Sequence, residues 1–148
     1  MISQNEKNSS ALMHLSAFLS FVFPLGSIIG PVIMWTVQKD KSEYLDENGR
    51  EAINFNLSYT LYVFILGMAM FPFAIGSIFS IFRHVDNFNQ FTNHYSFGSL
   101  FGFLSVGSII AMFIFVRFLL TIVAAIKSSR GEVYHYPLTI KFVKESQN

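Results

Sequence analysis

Apolar positions dominate three long stretches that contain no Asp, Glu, Lys or Arg: Asn8–Gln38, Ala52–Phe82 and Asn87–Val116. A helix rises ~1.5 Å per residue, so about 20 apolar residues cross a hydrocarbon layer of ~30 Å, and each stretch is long enough. The pattern predicts an all-α integral membrane protein, a bundle of three to four transmembrane helices forming a single membrane domain over residues 1–148. Its apolar segments are placed at about 11–37, 55–82 and 97–126.

The first segment is broken by Pro24, Gly26, Gly30 and Pro31. Proline removes a backbone donor and crowds the preceding turn. Two paths satisfy the pattern: one kinked, tilted span, or two short helices at about Ala11–Phe23 and Ser27–Val37 folded as a hairpin. The first puts the N-terminus outside, the second inside. Trp35 and Gln38–Lys39 read as the interfacial end. The second helix is expected to start near Asp46, where acidic residues complement the helix dipole, with Pro72 as a kink. After the last span, Tyr134–Val143 alternates apolar and polar residues. It predicts a short extended C-terminal tail resting on the membrane face or the charged loop.

Charge then sets orientation. The loop at 39–51 carries three Lys or Arg, the tail at 127–148 carries four, and the loop at 83–96 carries only Arg83. By the positive-inside bias, the 39–51 loop and the tail are cytoplasmic and 83–96 lies outside. A net charge of +1 without a basic run excludes a nucleic-acid partner. With no Cys, disulfides, thiol catalysis and Cys-ligated metals are excluded. The eighteen Phe read as lipid-facing and packing bulk.

Candidate chemistry is sparse. Gly26-x-x-x-Gly30 and Gly98-x-x-x-Gly102 put small residues on one helix face, the pattern of close helix packing within the chain or against a partner. His14, Asn54, Asn56 and Arg117 are the polar candidates inside apolar segments. Asn54 and Asn56 are expected to satisfy backbone freed near Pro31, and Arg117 to reach along its stem toward the headgroups. His84, Asp86 and His94 share the outer loop in a pattern too weak for a metal site. No nucleophile elbow, phosphate loop or dinucleotide fingerprint occurs, so the reading names no catalytic residue, cofactor or metal.

Four stretches carry a family resemblance: Met13-His14-Leu15-Ser16, Gly30 to Trp35 leading to Lys39-Asp40, Glu51 to Asn56, and Ala124 to Lys127 through Gly131-Glu132 to Tyr136-Pro137-Leu138-Thr139-Ile140. In this order they resemble a family of small bacterial membrane proteins grouped with the Tic-twenty-like subunit of the chloroplast import channel. The resemblance implies a four-helix layout, marks Tyr136 and Pro137 as the motif of the tail, and offers a channel or protein-translocation role. The residues themselves point to a non-enzymatic, multi-pass membrane protein, and the resemblance implies that it lies in the bacterial cytoplasmic membrane. It would act as a small accessory subunit of a larger assembly or as a homo-oligomer, with lipid and another membrane protein or itself as partners. A lipid-modifying enzyme is a further alternative, confined to the acids of Asp40–Glu51 and the tail.

Overall fold

The computed structural model describes residues 2–23, 25–84 and 98–144, and its secondary structure there is entirely helical. The elements are α1 (Gln4–Leu15), a 3-10 segment (Ser16–Phe21), α2 (Gly26–Gln38), a short 3-10 turn (Lys39–Lys41), α3 (Glu43–His84) and α4 (Gly98–Ser129). The chain divides into two compact units, Met1–Leu61 with Val116–Asn148, and Tyr62–Phe115. The first unit holds every polar cluster described below. The second consists of the continuing turns of α3 and α4, whose described side chains include the exposed Phe64, Met68, Met112 and Phe115.

α1 begins at Gln4, earlier than the apolar pattern alone places it, because Ser3 caps it. The Ser3 hydroxyl accepts the Glu6 amide at 3.3 Å while the Glu6 carboxylate accepts the Ser3 amide at 2.7 Å, a reciprocal capping box. The first apolar segment follows the hairpin path. Leu25 takes a left-handed φ of 63° and starts α2 back along the 3-10 segment. A Cβ on Gly30 would lie 2.6 Å from the Ser16 carbonyl oxygen, and one on Gly26 would strike the Leu19 carbonyl. The two arms therefore meet backbone to backbone, in antiparallel register, where only glycine fits.

Ser42 starts α3, its hydroxyl accepting the Leu45 amide at 3.4 Å. Trp35 packs against Gly49, where a Cβ would collide with the indole, and its Nε1–H donates to Asp46 at 2.8 Å. Met13, Tyr44 and Leu45 form one small core with Ile2, Met34 and Val133 against them; Phe55, Ala124 and Tyr136 form another with Leu120 and Tyr134.

Among the described residues two helices are long and apolar enough to cross a membrane, over Glu43–Ala69 with mean hydropathy 1.3 and Gly107–Ser129 with 2.7. The core helix of a soluble protein would bury such a stretch, whereas only 17% of the α4 stretch is buried. Surface this apolar and this exposed needs lipid around it. Among the described residues these two account for the crossings that length and composition support; the three to four expected from the sequence are not confirmed, and α2, with 13 residues, rises only ~20 Å.

α4 ends in a paired turn. Gly131, at φ 92°, donates its amide to Ser128 at 3.0 Å and Glu132 donates to Lys127 at 3.1 Å, the two bonds of a Schellman motif. The tail that follows forms no strand. Its alternation is interrupted at Pro137 and Leu138, where φ is 57°, and its backbone bonds go to side chains of α3 instead of to another strand. It thus lies along α3, reaching the expected charged segment 39–51 through His135, which meets Glu51 at 3.0 Å. The outer-loop residues Asp86 and His94 lie outside the described residues, as do the surroundings of Gly98 and Gly102.

Candidate functional site

The first unit is organised around a row of polar side chains on α3: Tyr44, Asn48, Glu51, Asn54, Asn56 and Ser58, all buried. Tyr44, Asn48 and Asn56 are spaced by multiples of four, so one stripe of the helix carries them past α1 and α4.

His14, at the last turn of α1, is fully buried and bonded at both ring nitrogens. Nδ1 lies 3.0 Å from the Tyr136 hydroxyl and Nε2 3.1 Å from Asn48 Oδ1. The Asn48 amide nitrogen donates to the Tyr44 carbonyl at 2.9 Å, which leaves Oδ1 as acceptor toward His14. The network therefore assigns the proton to Nε2, and Nδ1 accepts from the Tyr136 hydroxyl. Tyr136 stacks on Phe55 with ring centroids 3.9 Å apart and 8° between planes, and Tyr134 meets it edge-on at 5.0 Å. Burial drives the Tyr136 phenol well above its ordinary range, so it stays a hydroxyl that donates. Below it, the Tyr44 hydroxyl donates to the Ser128 carbonyl. Residues 122 positions apart thus share one bond.

Next along α3, His135 Nδ1 donates to the buried Glu51 carboxylate at 3.0 Å, with Glu47 3.9 Å from Nε2. Asn54 then grips the tail with both ends of its amide. Its Oδ1 accepts the Val143 amide at 2.7 Å and its Nδ2 donates to the Val143 carbonyl at 3.0 Å. Ser58 accepts the Ile140 amide at 2.8 Å and donates to the Asn54 carbonyl at 2.7 Å. An amide side chain presents a donor and an acceptor as a neighbouring strand would.

Asn56 and Arg117 form a further polar pair. Asn56 Nδ2 donates to the Ala52 carbonyl at 2.8 Å, which turns its Oδ1 to receive Arg117 Nη2 at 3.0 Å. The same guanidinium nitrogen lies 3.4 Å from the Ala17 carbonyl, and the group rests 4.7 Å over the Tyr59 ring. Arg117 turns toward the hairpin where the sequence led us to expect a reach toward headgroups. Neither asparagine meets Pro31; one holds the tail and the other the arginine.

Of the residues singled out from sequence, His14 and Tyr136 come together, as do Asn56 and Arg117, while Gly26 and Gly30 serve the hairpin. Pro137 shapes the turn that follows Tyr136. Sequence reasoning missed Tyr44, Asn48 and Ser58. Their signal was helical spacing: Tyr44 and Asn48 stand in register with Asn56 on one α3 stripe, and Ser58 four residues after Asn54. Chemically the arrangement is a set of closed hydrogen bonds that ties α1, α3, α4 and the tail. Among the described residues no three His, Asp or Glu side chains gather as metal ligands.

No curated protein and no solved structure matches the chain. The resemblance to the Tic-twenty-like group is overturned, and its channel reading with it, because the family model that matches is a different one, covering both long helices, the hairpin and the tail. Matched over residues 5–143, this chain belongs to the magnetosome magnetite crystal formation protein family.

Proposed function

We propose that the chain is a non-enzymatic membrane subunit that supports magnetite crystal formation at the magnetosome membrane, within a larger assembly or as a homo-oligomer. The family match carries this reading, since it takes in nearly the whole chain and names the process. The described side chains favour a scaffold: their polar groups close on one another to hold the tail, and the apolar faces of α3 and α4 are left to lipid or to another helix. Disrupting the gene in its host and imaging the crystals tests it. Fewer or misshapen crystals, restored by the wild-type gene, support the reading, and normal crystals refute it. Purification in mild detergent tests the assembly, because a lone monomer without partners is incompatible with it.

The proposed topology has α3 and α4 as the crossings, with α1 and α2 as a hairpin embedded from one side. Phe21, Val22, Ile33 and Val37 are more than half exposed along that hairpin, which suits contact with acyl chains. The bond between His14 and Tyr136 supports placing both termini on one side, which the distribution of Lys and Arg makes the cytoplasm. Cysteine accessibility at Ser3 and Lys144 checks this; labelling from opposite faces excludes it.

A further inference from the structure

A cleft of about 370 Å³ opens where the end of α2, the first turns of α3 and the tail converge. Its walls include Trp35, Lys39, Asp40, Asp46, Arg50 and Lys144. Sites for small ligands run from ~300 to 1,000 Å³, so the volume admits a headgroup-sized molecule. Three elements each supply one cation: the turn after α2, α3, and the tail.

These charges are not equally spent. Asp46 is engaged twice, accepting from the Trp35 indole at 2.8 Å and lying 3.2 Å from Arg50 Nε. That contact is an ion pair, and the buried Arg50 Nε makes no hydrogen bond, so the guanidinium is not fully satisfied by Asp46. Lys39 lies 5.0 Å over the Trp35 ring, and among the described residues no carboxylate pairs with Lys39 or Lys144. The cleft thus offers two ammonium groups and a guanidinium donor against one unengaged acid, Asp40. It sits beside Arg50 and Glu51, the last charges before the apolar run of α3, with an indole in its wall. That is the depth at which phosphate groups of a bilayer lie and at which indoles anchor.

We propose that this cleft binds a phosphate group, as the headgroup of an anionic phospholipid or as free phosphate. The guanidinium and the two ammonium groups ligate its oxygens, and the Trp35 ring covers the adjoining glycerol. The lipid source rests on the membrane reading given above; the phosphate chemistry does not.

Trp35 is the single tryptophan of the chain and reports on its own cleft. The full-length protein is placed in phosphatidylcholine vesicles and its emission followed in three titrations: phosphatidylglycerol in the bilayer, inorganic phosphate in solution, and oleate in the bilayer. A saturable change with phosphatidylglycerol assigns a lipid headgroup, and one with inorganic phosphate assigns the free anion. Each Lys near a charged ligand contributes enough that Lys144→Gln shifts the midpoint about 5-fold and Lys39→Gln with Lys144→Gln about 30-fold. Lys144→Gln leaves the Lys39–Trp35 contact in place, so a shift there is not a change of the probe. Asp40→Asn tightens binding. Oleate acting as well as phosphatidylglycerol, midpoints unmoved by the lysine variants, or no change in any titration overturns the proposal. Flotation of the same vesicles separates the two readings: protein that fails to float defeats the membrane reading, and the inorganic phosphate titration then judges the cleft alone.

Discussion

Replacing Asn54 by Ala removes one side chain and two hydrogen bonds, both to the backbone of Val143, at 2.7 and 3.0 Å. Each such bond contributes a net ~0.5–1.5 kcal/mol, so the tail loses about 1–3 kcal/mol of its hold. A free energy of that size speeds exchange of a locally opening amide by roughly 5- to 160-fold. The Ile140 amide is the internal control, because Ser58 holds it at 2.8 Å and is untouched by the change. Hydrogen exchange resolved at single amides in detergent micelles should therefore show Val143 losing protection while Ile140 keeps most of its own. Ser58→Ala should reverse the order. Asn54→Asp is the finer probe: it keeps the acceptor for the Val143 amide but sets a carboxylate oxygen against the Val143 carbonyl, and should fall between wild type and Asn54→Ala. Val143 exchanging at the same rate in wild type and Asn54→Ala would refute the claim that this amide stands in for a neighbouring strand. Both amides accelerating equally would show that the tail opens as one piece from Tyr136 onward.

Tyr136→Phe keeps the stack on Phe55 but leaves His14 Nδ1 buried without its partner, so thermal unfolding should reveal a loss of about 1–3 kcal/mol, and no loss would refute the bond between the two residues. Gly30→Ala forces a methyl to 2.6 Å from the Ser16 carbonyl, and overpacking of this kind should cost about 1–3 kcal/mol in a denaturant titration, with Gly67→Ala, in open space, as the silent control. The Glu6 carboxyl is held at about 2 by the hydroxyl of Ser42, then by the Ser3 amide and hydroxyl. Because its folded value is depressed, the helix start is supported above the ordinary value of 4.5 and loses that support as pH falls toward 2. Side-chain carboxyl NMR should find its midpoint near 2 in wild type and returned toward 4.5 in Ser42→Ala with Ser3→Ala; an ordinary midpoint in wild type would refute it.

The long apolar runs announced α3 and α4 because hydrophobic length is a property of the sequence itself. The break at Pro24–Pro31 was visible too, yet the choice of a hairpin was not, since it depends on Gly26 and Gly30 meeting carbonyls of Leu19 and Ser16 across the turn. The start of α1 was legible in principle, as Ser3 and Glu6 have capping-box spacing. The charge-free run beginning at Asn8 drew the boundary inward instead. The tail shows the limit most clearly. Its alternation indicated an extended segment, but what decides its path is a helix with Asn54 and Ser58 at the right heights to take its backbone bonds. Polar partners such as His14 and Asn48 are 34 residues apart, beyond any local rule.

The bond between His14 and Tyr136 also bears on how the protein is made. A ribosome adds ~5–20 residues per second, so the 122 residues between the two partners separate their emergence by on the order of ten seconds. During that interval His14 has no hydroxyl to accept from, and the N-terminal helix waits with a bare imidazole nitrogen while both long helices are threaded. Tyr136 therefore completes this bond only after both long helices have been made. A nascent chain that stops at the end of α4 has both long helices and yet leaves His14 Nδ1 without its donor.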